Sequence, residues 1–149
     1  MPDLTDPEKD EWESIPPMSA CREGAGAASL GGKIYVVGGY GDDDEDLASG
    51  ECYDPETKLW TRIPDMIDVR GYTEAVAIDG TLIVAEYNSN VIDRYSPPKN
   101  AWETIKVGNA TEDSEDNDFR IDCLCTVSKK YLPKNLENMN NKSKCGKII

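Results

Sequence analysis

The residues that could do chemistry in this chain are acids, arginines and cysteines, because the sequence contains no histidine. The lack of histidine removes the commonest general base, the usual catalytic triads and most zinc or copper sites. Cys123 and Cys125 lie on one face of a predicted strand, but no second pair completes a set of metal ligands. We interpret both as small packing residues. The sequence therefore predicts no catalytic residue, no metal site and no cofactor.

A glycine-rich stretch suggests a second kind of chemistry, phosphate binding. The residues from Gly24 to Ser29 have the composition of a phosphate loop, yet they precede a strand instead of opening a helix. Gly32-Lys33 does not complete a Walker loop, because Ala27 and Ile34 occupy positions that require glycine and serine or threonine. The net charge of −13 also argues against nucleic acid as a partner, since phosphates would be repelled.

Two arginines and two acidic stretches are the candidates for binding. Arg22 and Arg70 each follow a tryptophan by ten residues, so each guanidinium either holds neighbouring loops or points a charge at a ligand. The acidic stretches are 42–46 and 106–118. They are interpreted either as solvated loops or as an acidic collar that steers a basic partner by long-range attraction.

Repeated elements must position these residues. The motif Trp-Glu-Ser-Ile-Pro-Pro-Met at Trp12 returns as Trp-Thr-Arg-Ile-Pro-Asp-Met at Trp60 and in part at Trp102, with spacings of 48 and 42 residues. Such a period indicates one supersecondary unit used repeatedly, so function belongs to an assembled surface. The regular spacing of the tryptophans indicates repeated core positions and disfavours the alternative, in which a ligand stacks on their rings.

Each repeat predicts four antiparallel strands and no helix. Two β-rich runs joined by Gly31-Gly32, or by Asp79-Gly80, indicate hairpins with primed turns, which need positive φ at their centre. A third strand ends in Tyr-Asp-Pro or Tyr-Ser-Pro, and the tryptophan lies on the fourth. The longer spacing of the first repeat is located in the loop 40–50. We expect residues 19–127 to form only antiparallel sheet, with five side chains partly or wholly buried: Tyr35, Val37, Trp60, Ile83 and Trp102.

These residues resemble kelch repeats. The family pattern comprises an arginine, a strand ending in Gly-Gly, Tyr-Asp-Pro, a tryptophan and a Pro-x-Met ending. The first repeat has all of them: Arg22, Gly38-Gly39, Tyr53-Asp54-Pro55, Trp60 and Met66. The second repeat departs from the pattern at Glu86-Tyr87, where Gly-Gly is expected, which places the close backbone approach in doubt there. The resemblance implies an all-β, kelch-type β-propeller.

The predicted organisation has three parts. Residues 1–11 form a polar N-terminal segment, 12–127 a partial propeller, and 128–149 a basic, disordered tail. The propeller part comprises repeats at about 22–66 and 70–107, a flanking strand at 12–18 and a closing strand at about 120–127. Because propellers close with about four to eight blades, the chain is expected to be the C-terminal piece of a larger propeller. The alternative is a truncated product that closes by association with other chains.

Two consequences follow from composition and from the incomplete ring. The isolated chain is expected to be unstable or self-associating, because each unclosed side exposes an apolar face. The polar start, the lack of an apolar run of about 20 residues and an odd number of cysteines, five, predict a cytoplasmic protein with reduced thiols and no membrane contact.

Topology places the loop after the second strand and the loop between repeats on one edge of the propeller. The residues predicted to contact a partner lie in these loops: Arg22, Tyr40, Asp42, Asp43, Asp44, Arg70, Tyr72 and Asn88.

The resemblance is strongest to kelch-like adaptors, which carry a BTB domain and present substrates to cullin-RING ubiquitin ligases. It implies a substrate-recognition module in protein ubiquitination and degradation. If the acidic stretches act as a collar, the protein partner carries a basic segment. The alternative is an actin-binding or cytoskeletal scaffold kelch protein. A third class, the kelch-type copper oxidases, is disfavoured by the lack of histidine in this chain.

Overall fold

The computed structural model describes residues 3–6, 11–87 and 89–106. The helices and strands named in these ranges are strands without exception, so the described residues contain no helix. All of the strand pairings are antiparallel, which confirms the all-β fold. The strands are β1 (Asp3–Asp6), β2 (Glu11–Ser14), β3 (Gly26–Leu30), β4 (Lys33–Val37), β5 (Gly50–Asp54), β6 (Leu59–Ile63), β7 (Thr73–Ile78), β8 (Thr81–Glu86), β9 (Val91–Ser96) and β10 (Ala101–Lys106).

Two four-stranded sheets correspond to the two predicted repeats. The first blade has the strand order β3-β4-β5-β6, and the second has β7-β8-β9-β10. Tyr53 pairs with Trp60 in the first blade, and Tyr95 pairs with Trp102 at the same place in the second. The two sheets are therefore copies of one unit, as expected for an incomplete propeller.

The hairpin turns have the predicted geometry. Gly31 and Gly32 adopt φ of 59° and 75°, and Asp79 and Gly80 adopt 48° and 74°. Positive φ at both central positions defines the primed turn whose twist matches that of the flanking strands. The predicted length difference is also found, since a long loop joins β4 to β5 and a short one joins β8 to β9.

A further hairpin precedes the first blade. The sequence predicts a polar segment at 1–11, but β1 forms a strand there and pairs with β2, so that Thr5 lies opposite Trp12. This is the register of Tyr53 with Trp60. Thr5-Asp6-Pro7 stands seven residues before Trp12, as Tyr53-Asp54-Pro55 does before Trp60. β1 and β2 therefore correspond to the outer two strands of another blade.

The main core lies between the two blades. Buried side chains of β4 and β5 meet those of β8 and β9: Tyr35, Val37, Cys52, Leu82, Val84 and Tyr95 belong to one cluster with Ile63 and Met66. Ile83 is buried in a second cluster on the other face of the second blade. Trp60 and Trp102 are half-buried. All five burial predictions are thus confirmed.

The tryptophans also connect successive repeats. The Trp102 indole Nε1 donates a hydrogen bond to the Pro64 carbonyl oxygen at 2.7 Å, and the Trp60 Nε1 donates to the Pro16 carbonyl oxygen at the same distance. Pro16 and Pro64 are equivalent positions of the repeat. A half-buried indole N–H needs such an acceptor, which explains why the tryptophan and the proline segment recur together.

Several predictions concern residues outside the described ranges. They are the closing strand at 120–127, most of the acidic stretch 106–118 and the basic tail 128–149. The part of the chain that the structure describes contains no helix that could span a membrane.

Candidate partner-binding rim

One edge of the two blades brings the predicted site loops together. We call this edge the rim and define it as residues 21–25, 38–49, 64–72, 86–87 and 89–90. Backbone hydrogen bonds join its loops: the Gly39 N–H donates to the Arg70 carbonyl oxygen at 2.9 Å, and the Arg70 N–H donates to that of Leu47 at 3.1 Å. The loop after β4 and the loop between the blades therefore form one surface, as the topology predicted.

The two glycines that end the first blade's second strand permit this close approach. Gly38 and Gly39 adopt φ of 65° and 86°, which side chains rarely tolerate. A Cβ atom added at Gly38 would lie 2.5 Å from the Thr73 hydroxyl oxygen, and one at Gly39 would lie 2.6 Å from the Glu23 carbonyl oxygen. Gly38 thus lets the backbone of the first blade approach that of the second, and Gly39 lets it approach the segment before β3 of its own blade.

The second blade has no such turn. Its strand β8 continues through Glu86, and the Tyr87 N–H donates to the Tyr72 carbonyl oxygen at 3.0 Å, which extends the pairing with β7. At the positions where the first blade has Gly38-Gly39, the second blade therefore presents the side chains of Glu86 and Tyr87 at the rim.

Arg22 lies beneath the rim and not on its surface. Its guanidinium donates to the carbonyl oxygens of Gly38 and Ser49 at 3.1 and 2.8 Å, and it lies 3.5 Å from a carboxylate oxygen of Glu51. Its side chain is 1% exposed. The geometry favours the structural alternative for this arginine, because it holds together the ends of β4 and β5.

Arg70 repeats this arrangement in the second blade. Its Nε donates to the Asp93 carboxylate at 2.7 Å, and the two side chains are 4% and 0% exposed. Asp93 also accepts a hydrogen bond from the Thr104 hydroxyl at 2.6 Å. Glu51 and Asp93 both stand two residues before the tyrosine of their repeats, a signal visible in the sequence that the sequence reasoning missed.

Glu51 is held in its charged form by several donors. Burial alone would raise the pKa of its carboxyl group, but hydrogen bonds from the backbone N–H groups of Ser19 and Ala20 and the nearby Arg22 guanidinium outweigh it. The pKa of Glu51 is therefore lowered from its ordinary value of 4.5. Glu51 links the first blade to the segment that precedes it.

We expect the stabilisation from Glu51 to depend on pH. Because its pKa is lower in the folded state, its contribution is fully present above about pH 4.5 and is lost as the pH falls through the folded-state pKa. Unfolding free energies measured from about pH 6 to about pH 3 should show the wild type converging on the Glu51→Gln variant in acid. A Glu56→Gln variant, which alters an exposed acid, should follow the wild type throughout. Parallel curves for Glu51→Gln and the wild type would contradict this role.

The acidic loop 42–46 is exposed along its whole length. The Glu45 carboxylate accepts a hydrogen bond from the Asp43 N–H at 3.0 Å, and the Gly41 N–H donates to the Glu45 carbonyl oxygen at 2.9 Å. Asp44 adopts a φ of 58°. These bonds shape the loop from within, while all five of its residues remain exposed.

The other predicted site residues divide into two groups. Tyr40 and Tyr72 lie together at the rim, with ring centroids 5.2 Å apart and an edge-to-face angle of 77°, and Tyr72 is 62% exposed. Asn88 lies outside the described residues. Contact of any of the eight residues with a partner stays a prediction. Within the described ranges, no group of three or more acidic, cysteine or histidine side chains could hold a metal ion.

Comparison with known proteins agrees with this geometry. The model of the Kelch motif family matches residues 21–67, which contain the first blade. Kelch-like protein 21 of Rattus norvegicus is 46% identical over 66 residues, a match covering 42% of this chain and 11% of that protein.

Two other relatives match over a longer stretch. Kelch repeat and BTB domain-containing protein 13 of Homo sapiens is 34% identical over 108 residues, or 67% of this chain and 24% of that protein. An F-box/kelch-repeat protein of Arabidopsis thaliana is 35% identical over 104 residues, covering 65% and 28%. The chain thus spans about a tenth to a quarter of the length of these relatives. It is a kelch-repeat protein that resembles part of a BTB-kelch protein.

Proposed function

We propose that this chain is a protein-binding module that holds a basic segment of a protein partner at its rim. Within a longer protein it would be the substrate-recognition part of a cytoplasmic BTB-kelch adaptor of a cullin-RING ubiquitin ligase. The chain itself would contribute recognition and no chemistry, and the ligase machinery would bind through a domain elsewhere in the protein. The match to a relative with kelch repeats and a BTB domain supports this assignment.

One observation carries the proposal: the rim presents acids that are not neutralised by the described part of the chain. None of the ion pairs among the described residues uses an acid of the loop 42–46. The cations of these pairs are Arg22, Lys33, Lys58, Arg62, Arg70 and Arg94. Five exposed carboxylates on one short loop produce a negative potential that extends about 10 Å at ordinary salt. Such a potential raises the association rate of a basic partner.

Replacing Asp42, Asp43 and Asp44 with Asn should slow partner association at least about threefold at low ionic strength and flatten its dependence on salt. Asn is the replacement because it tolerates the positive φ of Asp44. The free energy of unfolding should change by less than about 0.5 kcal/mol, since these side chains are exposed. The partner is first isolated by affinity capture with the full-length protein, and association rates are then measured against ionic strength.

A control neutralises two acids at the opposite edge of the same blades. Glu56→Gln with Asp79→Asn removes exposed charges from the turns after β5 and β7. This control should leave the association rate close to that of the wild type. An equal effect of both sets would mean that net charge, and not the rim, attracts the partner. An unchanged rate in the Asp42, Asp43 and Asp44 variant would show that the loop is only a solvated surface.

Co-purification distinguishes the adaptor from the cytoskeletal alternative. If the full-length protein is an adaptor, affinity capture should recover a cullin-RING ligase together with the rim-bound protein. The rim variant should then retain the ligase while recovering less of that protein. Recovery of actin or actin-associated proteins without a cullin would instead establish the scaffold.

A further inference from the structure

The second blade carries three side chains where the first blade carries glycine. Counted from the arginine that begins each repeat, Tyr72, Glu86 and Tyr87 stand at the positions of Gly24, Gly38 and Gly39. The first blade forms the same four strands with glycine at these positions. Tyr72 and Tyr87 are both 62% exposed, so most of each side chain faces solvent. These side chains are therefore additions to the surface that the fold itself does not require.

Oxygen atoms from three residues converge beside Tyr72, at the backbone of Gly71. The Gly71 N–H donates to the Glu86 carboxylate at 3.3 Å. A Cβ atom added at Gly71 would lie 2.5 Å from the Tyr40 hydroxyl oxygen and 2.8 Å from a carboxylate oxygen of Asp46. Glycine at this position thus leaves room for two carboxylates and a phenol to approach one point of the rim.

An exposed aromatic face borders these oxygens. The rings of Tyr72 and Tyr40 pack in a T-shaped arrangement, and Tyr72 also lies beside Gly24, where an added Cβ atom would be 3.2 Å from it. Tyr87 follows in the same strand pairing and adds a second exposed ring. Aromatic faces attract cations, and the attraction is strongest for a planar group that can lie flat on the ring.

The negative charge at this point has no counter-charge among the described residues. The arginines and lysines of the described ion pairs bind other acids than Asp46 and Glu86. Burial, followed by the nearby Asp46, Tyr72 and Glu86, raises the pKa of the Tyr40 phenol, so this group stays a neutral donor or acceptor. The site therefore combines an aromatic wall with carboxylates that lack a cation.

We propose that Tyr40, Asp46, Tyr72 and Glu86 form a subsite for an arginine side chain of the bound protein segment. This inference deepens the proposed function and rests on it. A guanidinium can lie on the Tyr72 face while its N–H groups donate to the Glu86 and Asp46 carboxylates. The ammonium group of a lysine can pair with the carboxylates, but it is compact and cannot lie flat on the Tyr72 ring. Arginine therefore binds more tightly than lysine. The loop 42–46 attracts the segment, and the subsite selects the residue that is held.

The test measures arginine preference with defined probes. The full chain is applied to mixed-sequence nine-residue peptides whose central residue is fixed as arginine, lysine or citrulline, which is the neutral isostere of arginine. The wild type should bind the arginine set about tenfold more tightly than the citrulline set. The Tyr72→Ala and Glu86→Gln variants should each lose most of this preference. Replacement of Asp42, Asp43 and Asp44 with Asn should weaken binding to all cationic peptides while keeping the preference for arginine over lysine.

Two controls keep the result interpretable. Leu59→Ala removes a side chain that is also 62% exposed but lies at the opposite edge, and it should leave the preference intact. Tyr72→Gly with Glu86→Gly restores the residues of the first blade, so the strands should form while the preference disappears. Equal binding of arginine and citrulline peptides by the wild type, or a preference that survives Glu86→Gln, would overturn the subsite. Arginine preference decides the subsite, whereas capture of a protein through the rim decides the proposed function, so the two can fail separately.

Discussion

Replacing Asp93 with alanine should lower the free energy of unfolding by about 3–5 kcal/mol, because it leaves the Arg70 guanidinium buried without its counter-charge. Both side chains are almost fully buried, and they are joined at 2.7 Å. The change also removes the acceptor of the Thr104 hydroxyl. Denaturant unfolding, followed by circular dichroism at one protein concentration for all variants, measures the loss.

Two comparisons test whether burial is the cause. The exposed pair Arg62–Asp65 has similar geometry, at 2.9 Å, yet Asp65→Asn should cost less than about 1 kcal/mol, since solvent screens it. The double variant Arg70→Met with Asp93→Leu removes both charges and should recover much of the stability lost in Asp93→Ala. A loss as small as that of Asp65→Asn would show that the buried pair does not hold the blade together.

The fold could be predicted from the sequence because its signals are local. Gly31-Gly32 and Asp79-Gly80 specify primed turns through their own φ preferences, and the alternation around Tyr35 and Val37 specifies which side chains face the core. The repeat period then fixes how many strands each unit contains. None of these signals depends on knowing which residues meet across the fold.

The acid partners of the arginines could not be predicted in this way. Arg22 precedes Glu51 by 29 residues, and Arg70 precedes Asp93 by 23. Each pair therefore forms only when strand pairing places the arginine at the start of a repeat beside the third strand of that repeat. A guanidinium at a loop is equally compatible with ligand binding until that register is known. The recurrence of an acid two residues before each tyrosine was nevertheless available as a signal.

The flanking strand at Trp12 was predicted, but its partner β1 was missed for a different reason. Thr5 stands where the later repeats have tyrosine, so the most recognisable residue of the third strand is replaced. Threonine is a good strand former, and only its spacing from Trp12 reveals the equivalence. The rim presents the converse case: the departure at Glu86-Tyr87 was visible in the sequence, but its consequence, a longer β8 and two added side chains, required the strand pairing.

Gly39 should tolerate alanine much less well than Gly31, although both have positive φ, of 86° and 59°. The left-handed conformation costs either alanine about 1–2 kcal/mol. At Gly31 no atom lies within 4 Å of an added Cβ, so that cost is the whole effect. At Gly39 the Cβ would lie 2.6 Å from the Glu23 carbonyl oxygen and 3.0 Å from the Ala25 backbone nitrogen. Relief of this overlap adds about 1–3 kcal/mol, because backbone atoms on both sides must move.

The difference between the two variants therefore measures the close approach of Gly39 to the backbone of Glu23 and Ala25, which precede β3 of the same blade. Unfolding free energies of Gly31→Ala and Gly39→Ala, determined under the same conditions, should differ by at least about 1 kcal/mol, with Gly39→Ala the less stable. Gly39→Ala should also disturb binding, because the Gly39 N–H donates to the Arg70 carbonyl oxygen, which joins the rim loops. Equal losses for the two variants would mean that Gly-Gly is needed only for its φ angles. The rim would then not depend on the close packing of Gly39 against the backbone of Glu23 and Ala25, and the second blade's Glu86-Tyr87 would be an alternative way to end the same strand.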